Sequence, residues 1–127
     1  MQATGPTIPT IAVVDDEECV RAAVANLLQS LELTVVTFGS AEEFLASPAC
    51  TTAACLITDI QMPGMSGLDL QRHLAASGNR IPVILMTAFP KQQARQQACA
   101  DGAVGYLAKP FESRRLIELI DRVLAAP

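Results

Sequence analysis

The run Ile11-Ala-Val-Val-Asp-Asp-Glu-Glu18 decides how this chain folds. Four successive apolar residues without polar alternation suit a strand covered on both faces, as strands of parallel sheets are. The period then changes. Over residues 17–31, Val20, Val24, Leu27, Leu28 and Leu31 recur on one helical face. A doubly covered strand that passes directly into an amphipathic helix opens a βα unit.

The unit repeats towards the carboxyl end. Residues 33–38 are β-branched and strand-like, and Ser40 with Glu43 has the spacing of a capping box that opens a short helix with Phe44 and Leu45 inward. Cys55-Leu-Ile-Thr58 is a third strand, followed by a Gly/Pro-rich loop over 60–67 and a helix with Leu68 and Leu74 inward that ends near Gly78-Asn79. Val83-Ile-Leu-Met86 is a fourth strand. Pro90 suits the first turn of a Gln-rich helix that stops at Gly102. Residues 104–107 form a short fifth strand, and a last helix over about 112–125 carries Leu116, Ile117, Ile120, Val123 and Leu124 on one face. Residues 1–9, with Gly5, Pro6 and Pro9, read as a loose tail before one domain over 10–125. Five βα units imply a parallel sheet wrapped by helices on both faces.

Composition narrows the function. The 127 residues suit one domain, and half of them are hydrophobic, so the core needs neither disulfides nor a structural metal. A net charge of −4, with basic residues scattered, argues against nucleic-acid binding by this domain. The one adjacent basic pair, Arg114-Arg115, reads as a solvated helix turn. Cys19, Cys50, Cys55 and Cys99 form no C-x-x-C pair and lie far in sequence from the single histidine, His73, so a zinc site is not expected. Nor does the start resemble a secretory leader, and no apolar run reaches the ~20 residues of a membrane span. The expected setting is a reducing cytoplasm, with four free thiols and no membrane partner.

In an open parallel sheet the functional crevice lies beyond the carboxyl ends of the strands. Asp15 and Asp16 follow the first strand, Asp59 follows the third, Thr87 ends the fourth and Lys109 follows the fifth. Taken singly, each has an ordinary explanation: helix caps for Asp15 and Asp16, a turn residue for Asp59, a strand-end threonine and a surface lysine. Taken together, they bring three carboxylates, a hydroxyl and an ammonium to one sheet edge. Three close carboxylates repel, and Lys109 offsets only one of them. Mg²⁺, which takes oxygen ligands and keeps positions open for water and phosphate oxygens, would offset more. A carboxylate can also act as nucleophile towards phosphorus, in a reaction that asks mainly for positioning and charge neutralisation.

Asp15-Asp16 after an apolar strand, Asp59-Ile-Gln-Met-Pro-Gly-Met-Ser-Gly67, Met86-Thr87-Ala88 and Lys109-Pro110-Phe111, in this order, resemble the receiver domains of two-component response regulators. The resemblance spans about residues 10–125. It implies a single-domain, doubly wound (βα)5 fold of flavodoxin-like type, with five parallel strands in the order 2-1-3-4-5. It also implies that Asp59 is the phosphoacceptor for a sensor histidine kinase or a small phosphodonor. Mg²⁺ would be held by Asp15, Asp16, Asp59 and the backbone carbonyl of Gln61. Lys109 would pair with the phosphoryl group through a segment whose Lys109–Pro110 bond is cis, and Gln61 and Ala88 would lie in the loops that touch it. Thr87 would move towards it, and Tyr106 would turn inward, remodelling the face of the fourth helix, fifth strand and fifth helix. Such a domain is a switch rather than an enzyme, although it assists its own phosphorylation and dephosphorylation.

Residues 38–45 and 64–71 look most like receivers of the nitrogen-fixation regulator type, which implies control of transcription through an output domain or effector outside this chain, and possible phosphorylation-dependent homodimers. The chain departs from those relatives at Phe89-Pro90, where they usually carry Gly-His-Gly. A bulky ring there, with Gln61 bordering the same route, would hinder the water that hydrolyses the phosphoryl group. Three other readings compete. A haloacid-dehalogenase-like phosphatase would place its nucleophile after the first strand in an Asp-x-Asp pattern, whereas the run here is Asp15-Asp16-Glu17. A flavin binder would need a phosphate loop free of these acids. A constitutive interaction module would not need the full acidic set.

Overall fold

The computed structural model describes residues 8–125; residues 1–7 of the expected tail lie outside them. Five strands, β1 (Thr10–Val14), β2 (Thr34–Phe38), β3 (Cys55–Asp59), β4 (Val83–Thr87) and β5 (Gly105–Ala108), alternate with helices α1 (Glu18–Ser30), α2 (Ala41–Leu45), α3 (Ala49–Thr52), α4 (Gly67–Ala76), α5 (Gln92–Ala100) and α6 (Ser113–Ala125). All four strand pairings are parallel, and the order is β2-β1-β3-β4-β5, as the resemblance implies.

Strand residues alternate between two apolar layers with the period of two that the pleat demands. Ile11 and Val13 of β1, Cys55 and Ile57 of β3, Ile84 and Met86 of β4 and Leu107 of β5 pack with Val24 and Leu28 of α1 and Leu116, Leu119 and Ile120 of α6. The intervening Ala12, Val14, Leu56, Val83 and Leu85 pack with Ala41 and Phe44 of α2, Ala49 of α3, Leu70 and Leu74 of α4 and Ala98 of α5. Phe44, fully buried, meets Phe38 edge-on with ring centroids 5.6 Å apart. The central strands are covered on both sides, and for this reason they read as unbroken apolar runs.

Several details differ from expectation. The second crossover holds two short helices, because Pro48 restarts a helical turn that becomes α3. The Ser40 hydroxyl accepts from Glu43 N at 3.1 Å, but Glu43 meets only the Ser40 hydroxyl, so half of the box forms. The reciprocal box occurs instead at Ser66 and Asp69, opening α4. Leu31, expected inward, is exposed, since α1 has ended and Glu32 takes a positive φ of 64°. Leu68 is only half-buried, and Leu70 fills the inner position. Pro90 precedes Lys91, the residue flanking α5, and so lies outside the first helical turn. His73 is exposed as expected, and all four cysteines are free thiols. Among the described residues no helix is long and apolar enough to cross a membrane.

Candidate functional site

The strand register assembles the site. Ile11 pairs with Cys55 and Val14 with Thr58. One further step in that register sets Asp15 beside Asp59. The pleat sets their direction: Asp15 follows Val13, Asp59 follows Ile57 and Lys109 follows Leu107, so all three continue the alternation that faces α1 and α6. Neighbouring strands hold the backbone in place. Asp15 N donates to Phe38 O at 3.1 Å, Ile60 N to Met86 O at 2.9 Å and Lys109 N to Thr87 O at 2.7 Å.

The side chains converge accordingly. Lys109 Nζ lies 3.0 Å from Asp15 Oδ2 and 3.0 Å from Asp59 Oδ1. Only the Asp15 contact has hydrogen-bond geometry, so Asp59 Oδ1 is ion-paired without a directed donor. Asp15 and Asp59 are buried and Asp16 is exposed, yet one carboxylate oxygen from each lies within 4.8 Å of the others. Burial raises the proton affinity of Asp59. Lys109 opposes this, and the charges of Asp15 and Asp16 reinforce it. Burial alone would lower that of Lys109, but its contacts with Asp15 and Asp59 together outweigh this and raise it. The pocket is therefore over-supplied with negative charge in its ionised form.

The surrounding loops are tied to the same residues. Asp15 Oδ1 accepts from Glu17 N at 2.9 Å, closing the turn into α1, and Arg21 Nη1 donates to the Asp15 carbonyl at 2.6 Å. The Asp59 loop closes through Gly67 N, which donates to Ile60 O at 3.0 Å, and a Cβ on Gly67 would run into the Asp59 carbonyl oxygen. Glu42 Oε2 accepts from Met65 N at 3.1 Å and so braces the loop from α2. The Lys109–Pro110 bond is cis, as the resemblance implies.

Thr87 continues the opposite alternation, Val83-Leu85-Thr87, and faces the α2–α5 side together with Tyr106. It is fully buried; its hydroxyl donates to Gln61 Oε1 at 2.7 Å and accepts from Phe89 N at 3.0 Å. Tyr106 is partly buried, with Arg95 5.9 Å from its ring centroid, and its hydroxyl is enclosed without a hydrogen-bond partner. Ala88 and Phe89 are exposed beside the site. The structure thus brings Asp15, Asp16, Asp59 and Lys109 together, with Thr87 and Gln61 joined to each other next to them. Sequence reasoning missed Glu17, 3.7 Å from Lys109 but largely exposed. It also missed Arg21, Gly67 and Glu42 as supports. Gly67 alone left a signal, as a glycine that opens a helix rather than ending one.

A sheet of this order with a lysine bridging two buried aspartates at the β1 and β3 ends defines a class. The family model of the response regulator receiver domain matches residues 11–121. The chain belongs to that family: it is a phosphorylation-controlled signalling switch of two-component systems. The transcriptional regulatory protein TdiR of Thauera aromatica is 38% identical over 126 residues, covering 98% of this chain and 56% of that protein. Nodulation protein W of Bradyrhizobium diazoefficiens is 40% identical over 116 residues, covering 91% and 50%. The crystal structure of FixJ-N, 38% identical, superposes with a TM-score of 0.83 over 93% of this chain and 94% of that one. The chain spans about half the length of these two curated relatives, and their kinship agrees with the nitrogen-regulator look of residues 38–45 and 64–71.

Proposed function

We propose that residues 10–125 form a receiver that takes a phosphoryl group on Asp59, from a sensor histidine kinase or a small phosphodonor, in a Mg²⁺-dependent reaction. One observation carries this reading: Lys109 bridges Asp15 and Asp59 at 3.0 Å each, inside a cluster of three carboxylates. The donor set fits a hard divalent cation, because three carboxylates against one ammonium leave two negative charges to balance. Asp15, Asp16, Asp59 and the Gln61 backbone carbonyl would hold Mg²⁺, which when bound supplies positive charge against the phosphoryl oxygens.

The chain's own residues do the rest. Burial shields the Asp59 carboxylate from solvent, and Lys109 at 3.0 Å holds it in place, which positions an Asp59 oxygen for attack on phosphorus. An Asp59 oxygen forms the new P–O bond as the donor's P–N or P–O bond breaks, and the leaving group keeps that bond's electron pair. Lys109, released from Asp59 by loss of the carboxylate charge, pairs with a phosphoryl oxygen. Ala88 and Gln61 line the approach. Thr87 then donates to the phosphoryl group, and Tyr106, on the same sheet face, follows, altering the surface of α5, β5 and α6. That surface would act on an output domain or effector outside this chain, in transcription control in the cytoplasm, with phosphorylation-dependent pairing of two copies. The domain itself would bind neither nucleic acid nor membrane.

The test is labelling with acetyl phosphate and Mg²⁺. Label should appear in the wild type and in Asp15→Asn at reduced rate, and vanish in Asp59→Asn. Label that vanishes in Asp15→Asn and persists in Asp59→Asn would support the phosphatase-like alternative instead.

A further inference from the structure

The Thr87 hydroxyl has one proton, and in this structure that proton goes to the side-chain carbonyl of Gln61 at 2.7 Å. Its lone pair receives the Phe89 N–H at 3.0 Å. Thr87 is fully buried, so no solvent competes for the hydroxyl on its inner side. The hydroxyl is therefore satisfied where it stands, and turning it towards a phosphoryl group on Asp59 requires giving up the Gln61 acceptor. Gln61 itself is exposed and lies two residues beyond Asp59, in the loop closed by Gly67 N and braced by Glu42. Its amide can return to water once released.

We infer that the Gln61 side chain is a latch that holds Thr87 in the resting position and sets the threshold at which the phosphorylated state is adopted. The inference rests on the receiver reading above and deepens it. Gln61 here is a positioning residue: two acceptors, its amide oxygen and a phosphoryl oxygen, compete for one proton. The latch is weak by design of its parts, since a neutral hydrogen bond contributes little net free energy; its loss should shift the resting–active balance roughly threefold to tenfold. Both ends of the competition start from the same short loop, so phosphorylation at Asp59 acts close to the residue that restrains the switch.

The experiment uses the full 127-residue chain and the substitution Gln61→Met, which keeps the length and removes the acceptor. Two readouts are taken. The first is the Thr87 χ1 population in protein without metal, from NMR couplings. The second is the affinity for beryllofluoride, a phosphoryl mimic, at saturating Mg²⁺. The wild type should show one Thr87 rotamer, and Gln61→Met should show averaging and a roughly threefold to tenfold gain in beryllofluoride affinity. In a Thr87→Val background, Gln61→Met should add no further gain. A Thr87 rotamer indifferent to Gln61→Met, or an equal gain in the Thr87→Val background, would overturn the latch. Failure of the wild type to bind beryllofluoride would instead overturn the receiver reading, and the rotamer measurement would still judge the Gln61–Thr87 bond.

Discussion

Asp59 shows how a residue can be placed against its own preference. Its folded-state proton affinity is raised, chiefly by burial. The folded state therefore binds this proton more tightly than the unfolded chain does, and the contribution of Asp59 to stability falls as pH rises through the raised value. At neutral pH the ionised, buried group is a net cost. Asp59→Asn should accordingly raise the melting temperature of metal-free protein at neutral pH, with the gain shrinking in acid where the wild-type carboxyl is protonated. Melts across that pH range check this, and a lower melting temperature at neutral pH would contradict it. Lys109 also has its value raised in the folded state, here by its contacts with Asp15 and Asp59, so its charged form is the favoured one and its contribution is lost only as pH rises through that alkaline value. Lys109→Ala should lose roughly 3 kcal/mol, as expected when one partner of a buried pair is removed. That is less than the roughly 5–15 kcal/mol of a typical domain, so the fold should survive. Among the thiols, burial pushes Cys55 up to about 12, while Cys19 and Cys99 are exposed. A thiol reagent at mildly alkaline pH should modify Cys19 and Cys99 in the native protein and reach Cys55 only on unfolding.

Elements carry the site through their ends. Strands β1, β3 and β4 are short and buried, and what they contribute to the candidate site is the residue at or just past the last paired position. That much was legible in the sequence, because a doubly covered strand advertises itself as an apolar run, and polar residues at its end stand out. The strand bounds expected at β1, β3 and β4 differ from the observed ones by one residue. Helix details were less legible. Pro48 and the small residues after it gave no periodic signal, so α3 was not expected. The inward face of α4 depends on where its first turn begins, which is set by the Ser66–Asp69 box and by Gly67 packing on the Asp59 carbonyl. Gly67→Ala tests that packing. Its Cβ has no room, and the overlap should cost about 1–3 kcal/mol, displace the Asp59 loop and slow labelling at Asp59. A variant as stable and as readily labelled as the wild type would show that the close approach is dispensable. Phe44→Ala in α2, fully buried against Phe38 and outside the carboxylate cluster, should cost about 3–5 kcal/mol with labelling retained below its lowered melting point.

At the scale of the whole molecule, the two faces of the sheet carry different groups. The α1/α6 face carries Asp15, Asp59 and Lys109, the groups proposed to receive charge. The α2–α5 face carries Thr87 and Tyr106, the groups proposed to report it. This division follows from odd and even positions along each strand and could have been read from the sequence once the register was known. The Gln61–Thr87 bond could not, since it joins residues 26 apart in sequence through side-chain geometry alone. A change of charge on the first face is expected to be felt on the second. The most direct measurement is an amide NMR titration of the wild type, first with Mg²⁺ and then with beryllofluoride. Mg²⁺ should move the amides around residues 15, 16 and 59 to 61, and beryllofluoride should then move those of 87 to 89 and 106. Amides around 15, 16 and 59 that stay still in Mg²⁺, or a second step that leaves 87 and 106 unmoved, would contradict this expectation.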